Sequence, residues 1–141
     1  MEPRNHDGIK KLREKTGASF ELIKKALGEA AGDLERAYTI LQSLGHERAQ
    51  QKAERATYAG CVEAYVHAGA KIGVLVELRA ETDFVSRNEK FKALAHDIAL
   101  HVAAMAPGTK EELLEQPFIR DEQKTIGDLI KDASALFGEH I

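Results

Sequence analysis

Residues 81–89, Glu81-Thr82-Asp83-Phe84-Val85-Ser86-Arg87-Asn88-Glu89, join two segments with different hydrophobic periods. Upstream, residues 71–80 place an apolar side chain at every second position, which predicts a half-buried strand. Downstream, Ser86 and Glu89 have the spacing of a capping box, which predicts a helix that starts just after Ser86. The junction between strand and helix is predicted to be a tight turn that carries Phe84 beside Asp83.

Phe84 has two interpretations from its position alone. Turns of this kind usually carry polar or small residues, so a phenylalanine there either packs back under its own helix or contacts another molecule. Packing against Phe91 or Leu94 follows the general rule, because aromatic residues at strand–helix corners usually belong to the core.

The segments around the junction predict an α+β core in residues 60–141. Residues 61–67 alternate, Ala68-Gly69-Ala70 turns, and residues 71–80 return, which is the pattern of a β-hairpin. A hairpin needs a helix or a third strand over its apolar face. The helix after Ser86 offers a stripe at three- and four-residue spacing, namely Phe91, Leu94, Ala95, Ile98, Val102 and Met105. A last helix is predicted near residues 123–137, stopped by Gly138.

Residues 1–45 predict three short helices. Asp7 is the predicted cap of the first helix, Ser19 of the second and Asp33 of the third, with Gly45 as the stop of the third. Such a bundle resembles a ubiquitin-associated (UBA-like) domain. Residues 46–59 have alanine as their main apolar residue, among many charged ones, which predicts a solvated helical connector between two domains.

Composition excludes several classes of protein. The chain has 141 residues, of which 43% are hydrophobic and 30% charged, as in soluble globular proteins. The absence of a membrane-length apolar run and the polar start predict a cytoplasmic protein. Residues 1–45 carry a net charge of +1 and residues 46–141 one of −4, which argues against nucleic acid as the main partner. No membrane partner is predicted. The single cysteine, Cys61, excludes an internal disulfide and a multi-cysteine zinc site.

The sequence contains no pattern of catalytic residues. It lacks a phosphate-binding glycine loop, a dinucleotide-binding glycine motif and a nucleophile elbow. His96 and His101 are five residues apart and do not share a helix face, whereas Asp97 and His101 could meet in a metal site or a surface hydrogen bond. We therefore predict a protein that is not an enzyme and binds no cofactor or metal.

Several blocks of the chain resemble bacterial elongation factor Ts. The family pattern Cys-Glu-Thr-Asp-Phe-Val-Ala-Arg-Asn corresponds to residues 80–88, with Ala80 in place of the cysteine. Further blocks match in the family's order over most of the chain, namely residues 12–18, 24–27, 32–37, 116–119 and 138–141. Matches in register over this length are far more specific than any one short motif.

The resemblance implies a guanine-nucleotide exchange factor that promotes GDP release from elongation factor Tu. In the family, the turn corresponding to Thr82, Asp83, Phe84 and Val85 inserts into the partner's G domain, near its magnesium and phosphate site. The resemblance also assigns an N-terminal docking surface on that domain, which maps onto Arg13, Thr16, Gly17, Ala18, Ser19 and Phe20. The family often has a glycine and two methionines where this chain has Ser19, Phe20 and Glu21, so the detailed contact is expected to differ.

Other partners stay open at this point. Family members usually continue into a further strand where this chain stops at Ile141, so an open sheet edge and a homodimer are expected. One alternative is a UBA-like binding module for ubiquitin-like or nascent-chain ligands, with activity confined to residues 1–45. Another is an enzyme whose site is assembled only in an oligomer.

Overall fold

The computed structural model describes residues 3–141, with side chains from residue 6 onward. Three helices come first, and two hairpin-forming pairs of strands follow among further helices, which confirms the predicted α+β class. The elements are α1 (Pro3–Thr16), α2 (Phe20–Glu29), α3 (Leu34–Gln51), β1 (Ala59–Val66), β2 (Gly73–Ala80), α4 (Asp83–Ser86), α5 (Glu89–Met105), α6 (Lys110–Glu115), β3 (Pro117–Phe118), β4 (Asp121–Thr125) and α7 (Ile126–Phe137).

Helices α1, α2 and α3 enclose the first hydrophobic core. Its buried members are Ile9, Leu12, Ile23, Ala26, Leu27, Ala30, Ala37 and Leu41. Two predicted caps are confirmed, since Ser19 Oγ accepts from Leu22 N–H and Asp33 Oδ1 accepts from Arg36 N–H. The predicted start of α1 after Asp7 is wrong, because the helix already begins at Pro3. Proline suits a first helical position, where its missing N–H would have no partner within the helix.

Gly45 does not stop the third helix, contrary to the prediction. Helix α3 continues through it to Gln51, so the first part of the predicted connector, residues 46–59, belongs to α3. A Cβ atom at Gly45 would lie 2.7 Å from Cβ of Ala135 in α7. The glycine is therefore required for close contact between two helices rather than for chain termination. The division of the chain into two domains stays a prediction.

The hairpin and α5 form the second hydrophobic core. Strand β1 pairs antiparallel with β2, with Cys61 opposite Leu78 and Tyr65 opposite Val74. The inward face packs on α5, as predicted, and the buried members of this core are Leu78, Ala80, Val85, Phe91, Ala95, Ile98, Phe118 and Ile126. The outward face carries exposed apolar side chains.

The C-terminal helix α7 starts three residues later than predicted, because Gln123 to Thr125 belong to β4. Thr125 Oγ accepts from Asp128 N–H (3.1 Å) and the Asp128 carboxylate accepts from Thr125 N–H (3.0 Å). The second of these bonds lowers the pKa of Asp128 below its ordinary value. Gly138, in the left-handed region at φ 68°, ends α7 as predicted. Within residues 3–141, no helix combines the length and the apolar character that crossing a membrane requires.

Candidate functional site

Residues 82–85, here called the tip segment, form the first part of a short helix and not the turn that was predicted. Thr82 is the N-cap of α4, and its Oγ accepts from Val85 N–H at 3.4 Å. Ser86, which was predicted to cap the following helix, is buried inside α4, and its Oγ donates to the Asp83 carbonyl oxygen. Asn88 caps α5 in its place by accepting from Lys90 N–H (2.8 Å).

Adjacent side chains of the tip segment have opposite exposures. Val85 is 3% exposed and packs in the second core, whereas Phe84 is 86% exposed. Successive helical residues point about 100° apart, so fixing Val85 inward turns Phe84 outward. Asp83 is exposed beside it. An aromatic ring and a carboxylate therefore project together from a helix of four residues.

Phe84 does not pack under its own helix. Phe91, one of its two predicted partners, is completely buried and meets Phe137 of α7 edge to face, with ring centroids 6.2 Å apart. Leu94, the other predicted partner, is also packed against the second core. The corner position in the core belongs to Val85, so the ring of Phe84 is left available to another molecule.

The C-terminal residues hold the base of the tip segment through two carboxylates. Glu139 accepts from Thr82 N–H (3.0 Å) and from the Thr82 hydroxyl (2.6 Å). In the reverse direction, Glu81 accepts from His140 N–H (2.8 Å). We call Glu81, Thr82, Glu139 and His140 the C-terminal clamp.

The segment after α3 supports this clamp from the other side. His140 Nδ1 donates to the Arg55 carbonyl oxygen (2.6 Å), and Arg55 Nη1 lies 3.5 Å from the Glu81 carboxylate. Lys52 Nζ donates to the Gly138 carbonyl oxygen. Three distant parts of the chain therefore meet below the tip segment.

Glu81 makes this clamp sensitive to acid. The hydrogen bond from His140 N–H is the main cause that lowers the pKa of Glu81, and Arg55 contributes. A lowered folded-state pKa stabilises the fold above the ordinary value of glutamate, about 4.3, and this contribution disappears as the pH falls through the folded-state value. We expect Glu81→Gln to lower the free energy of unfolding at pH 7 by about 0.5–1 kcal/mol, a range that allows for solvent screening.

Urea unfolding at pH 7 and at pH 3 measures this effect. The difference between wild type and Glu81→Gln should shrink from pH 7 to pH 3, because protonation of the Glu81 carboxyl removes the charge that the glutamine also lacks. Glu122→Gln, which removes an exposed carboxylate from β4, is the control and should have no effect at either pH. An equal loss of stability in Glu81→Gln at both pH values would contradict the stabilising role of the Glu81 carboxylate.

The N-terminal candidates divide into exposed and internal residues. Arg13, Ser19 and Phe20 are exposed, on or beside the turn between α1 and α2. Thr16 is buried, donating through Oγ to the Leu12 carbonyl oxygen (2.6 Å) and accepting from Ala18 N–H (3.2 Å). The side chain of Thr16 therefore shapes the turn and does not face a partner.

Gly17 and Ala18 complete the N-terminal set. Gly17 is in the left-handed region at φ 67°, and an added Cβ would lie 3.3 Å from the Leu136 side chain of α7. Ala18 is half-buried against the first core. This turn packs on the first core and the tip segment on the second, so the structure places the two predicted sets in two separate regions.

Two of the metal candidates contact other residues of the chain instead of each other. Asp97 and His101 do not meet, because Asp97 pairs with Arg120 (2.8 Å) and the buried His101 lies 2.9 Å from Gln116. Burial raises the pKa of the Cys61 thiol, which makes this cysteine less reactive. Among residues 6–141, no group of three or more His, Cys, Asp or Glu side chains is placed to hold a metal ion.

Sequence reasoning did not predict the contacts of Glu139 and His140. Both lie in a block that matched the family, but a local pattern does not reveal a contact across 57 residues. It also missed Tyr58, which is exposed and precedes Ala59, the partner of Ala80 in the sheet. Tyr58 therefore lies at the same end of the hairpin as the tip segment. Its aromatic character was the one available signal.

The matches of this chain to known proteins point to one family. A family model described as "Elongation factor TS" matches residues 10–112 and also residues 81–141. Similar proteins include "Elongation factor Ts" of Coprothermobacter proteolyticus, 40% identical over 178 aligned positions that cover 94% of this chain and 90% of the relative. That of Thermosipho melanesiensis is 47% identical over 126 positions, covering 89% of this chain and 64% of the relative.

A third relative is aligned over the same number of positions as the first. "Elongation factor Ts" of Koribacter versatilis is 39% identical over 178 positions, which cover 94% of this chain and 81% of the relative. An alignment of 178 positions exceeds the 141 residues of this chain. The relative therefore carries residues between the matched blocks that this chain lacks.

Proposed function

Because the chain belongs to the elongation factor Ts family of translation elongation factors, we propose that it binds elongation factor Tu and promotes release of GDP from it. The observation that carries this proposal is the exposed Phe84 beside Asp83 on a helix whose base is hydrogen-bonded to the C-terminal residues. An exposed aromatic ring on a supported element is the kind of residue that dominates the energy of an interface.

The proposed reaction forms and breaks no covalent bond. An exchange factor binds the nucleotide-free partner more tightly than the nucleotide-bound partner, and linkage requires GDP and the factor to weaken each other's binding to the same extent. Each tenfold loss of GDP affinity corresponds to about 1.4 kcal/mol of differential binding. On this proposal the chain is not an enzyme, needs no cofactor of its own, acts in the cytoplasm and binds neither nucleic acid nor membrane directly.

The tip segment is the proposed agent of this differential binding. Asp83 and Phe84 enter the partner's G domain beside its magnesium and phosphate site, and the insertion displaces the ion and loosens GDP. Thr82 and Val85 hold the two inserting residues at the correct angle, Thr82 as the cap and Val85 from within the core.

The N-terminal turn is the proposed docking surface for the same partner. Arg13 and Phe20 supply an exposed charge and an exposed aromatic surface, and Ser19, which directly precedes Phe20, is the cap of α2. Thr16, Gly17 and Ala18 form the turn that presents these side chains. Docking here would bring the factor to either the GDP-bound or the nucleotide-free partner.

Release of fluorescent GDP from preloaded bacterial elongation factor Tu tests the proposal. At fixed magnesium concentration, a substoichiometric amount of this protein should accelerate release, since a recycling factor acts many times. Unchanged release together with a stable complex would limit the chain to docking. Unchanged release without a complex would overturn the proposal and favour a UBA-like binding module.

We further propose that the outward face of the hairpin binds a second copy of the chain. Leu75 is 76% exposed on this face, and Val62 and Val66 of β1 are exposed beside it. Glu77 and Arg79, on the same face of β2, are paired at 3.5 Å. A surface with apolar area and both charges on one strand can match itself across a two-fold axis.

Leu75→Glu is expected to shift the protein from dimer to monomer. The substitution places a charge in an apolar contact and replaces apolar surface of Leu75 with a carboxylate. Sedimentation velocity over a range of concentrations measures the change. Met105→Glu, at an exposed apolar position at the end of α5, is the control and should leave the mass unchanged. A wild-type chain that stays monomeric at all concentrations would contradict the proposal.

A further inference from the structure

The four-residue helix α4 requires support from outside itself. A helix this short has almost no stability of its own, since nucleation is unfavourable and few internal hydrogen bonds follow. Its N-terminal end has a single side-chain cap, Thr82, whose bond to Val85 N–H is long at 3.4 Å. The direction in which Asp83 and Phe84 project therefore depends on how firmly Thr82 is held.

Glu139 holds Thr82 at two points. One carboxylate oxygen accepts from Thr82 N–H at 3.0 Å and the other from the hydroxyl at 2.6 Å. Hydrogen bonds to an ionised acceptor are stronger than those between neutral groups. Because the hydroxyl proton points to Glu139, the lone pairs of the same oxygen are free to accept from Val85 N–H. Glu139 thereby selects the rotamer of Thr82 that caps α4.

Glu139 is itself held by its neighbours on both sides. Gly138 ends α7, and its carbonyl oxygen accepts from Lys52. His140 donates its N–H to Glu81 and its Nδ1–H to the Arg55 carbonyl oxygen. The position of the carboxylate is therefore supported by α7, by the segment after α3 and by Glu81, all of which lie outside the tip segment.

We propose that Glu139 is a positioning residue for nucleotide exchange: through Thr82 it orders the tip segment before the partner arrives. This inference rests on the proposed exchange function. Preorganisation lowers the cost of ordering a segment during binding, so it favours the step in which Phe84 and Asp83 enter the partner. Glu139 acts through Thr82 and needs no contact with the partner.

Glu139→Ala tests this inference by kinetics. We expect the maximal rate of GDP release to fall about fivefold, the scale of losing one helix cap. The concentration for half-maximal stimulation should change less than twofold, because the N-terminal turn still docks. Glu122→Ala, an exposed carboxylate in β4, is the matched control.

The Phe84→Ala background separates positioning from a general structural effect. If Glu139 acts through the tip segment, adding Glu139→Ala to Phe84→Ala should slow release by less than twofold further. A second fivefold loss in that background would overturn the inference. A merely structural role would give the same loss with and without the Phe84 ring.

Amide hydrogen exchange in the free protein gives a readout that does not need the partner. Glu139→Ala should accelerate exchange at Val85 and Ser86, which bond to Thr82 Oγ and to the Thr82 carbonyl oxygen, and leave Ile98 in α5 unchanged. If wild type does not accelerate GDP release from elongation factor Tu, the proposed nucleotide-exchange function is wrong. Faster amide hydrogen exchange at Val85 in Glu139→Ala would still support the role of Glu139 in ordering the tip segment. Unchanged exchange at Val85 and Ser86 overturns it in either case.

Discussion

Replacing Phe84 with alanine is expected to slow the stimulated release of GDP by about 10- to 100-fold. The ring is 86% exposed in the free chain, so nearly all of its surface is available for burial in a partner. Burying a phenylalanine side chain contributes roughly 1.5–3 kcal/mol, and about 1.4 kcal/mol corresponds to a factor of ten. On the proposed mechanism, the remaining differential binding comes from Asp83, the N-terminal turn and the rest of the core.

Stopped-flow measurement of fluorescent GDP release compares Phe84→Ala with wild type. The matched control is Met105→Ala, which removes exposed apolar surface at the far end of α5, about 24 Å along the helix from Glu89. Circular dichroism should show that both variants are folded. Release at the wild-type rate by Phe84→Ala, with the complex still forming, would show that the ring has no role in exchange.

Replacing Phe91 with alanine is expected to lower the free energy of unfolding by about 3–5 kcal/mol. Phe91 is 0% exposed and lies in the second core between the hairpin and α7, edge to face with Phe137. Alanine would remove the ring and leave a cavity, because the surrounding strands and helix cannot close over it fully. Since small domains are stable by only about 5–15 kcal/mol, this is a large share of the total.

Urea unfolding followed at 222 nm measures the loss. Phe84→Ala is an internal control, because it removes the same atoms from an exposed position and should cost less than about 0.5 kcal/mol. Phe91→Ala should therefore affect the free energy of unfolding, whereas Phe84→Ala should affect the rate of GDP release. Similar losses of stability in Phe84→Ala and Phe91→Ala would contradict the burial of Phe91 of α5 in the second core.

Predictions from periodicity were the most successful. The alternation in residues 71–80 and the apolar stripe of α5 correspond to β2 and to the face of α5 that covers the hairpin. These patterns succeed because the spacing of side chains in a helix or strand is a local property of the backbone. The N-terminal caps Ser19 and Asp33 succeed for the same reason, since a cap bonds to an N–H two or three residues away.

Prediction failed where several residues competed for one local role. Thr82, Ser86 and Asn88 are all good caps within seven residues, and the Ser86-Glu89 spacing favoured Ser86. The structure uses Thr82 and Asn88 because that arrangement buries both Val85 and Phe91 in the second core. The prediction that Gly45 ends a helix also failed. The glycine is explained by its close contact with Ala135 and not by a preference for turns.

The amino-acid sequence by itself determined the class of fold, the hairpin, the helix that covers it and the family of the chain. The tertiary structure alone decided that Phe84 faces outward and Val85 inward, and that Glu139 meets Thr82 across 57 residues. The physical reason is the distance along the chain over which each property is determined. Helix and strand periods and caps depend on neighbours within about four residues, whereas exposure and side-chain contacts depend on which distant elements share one core.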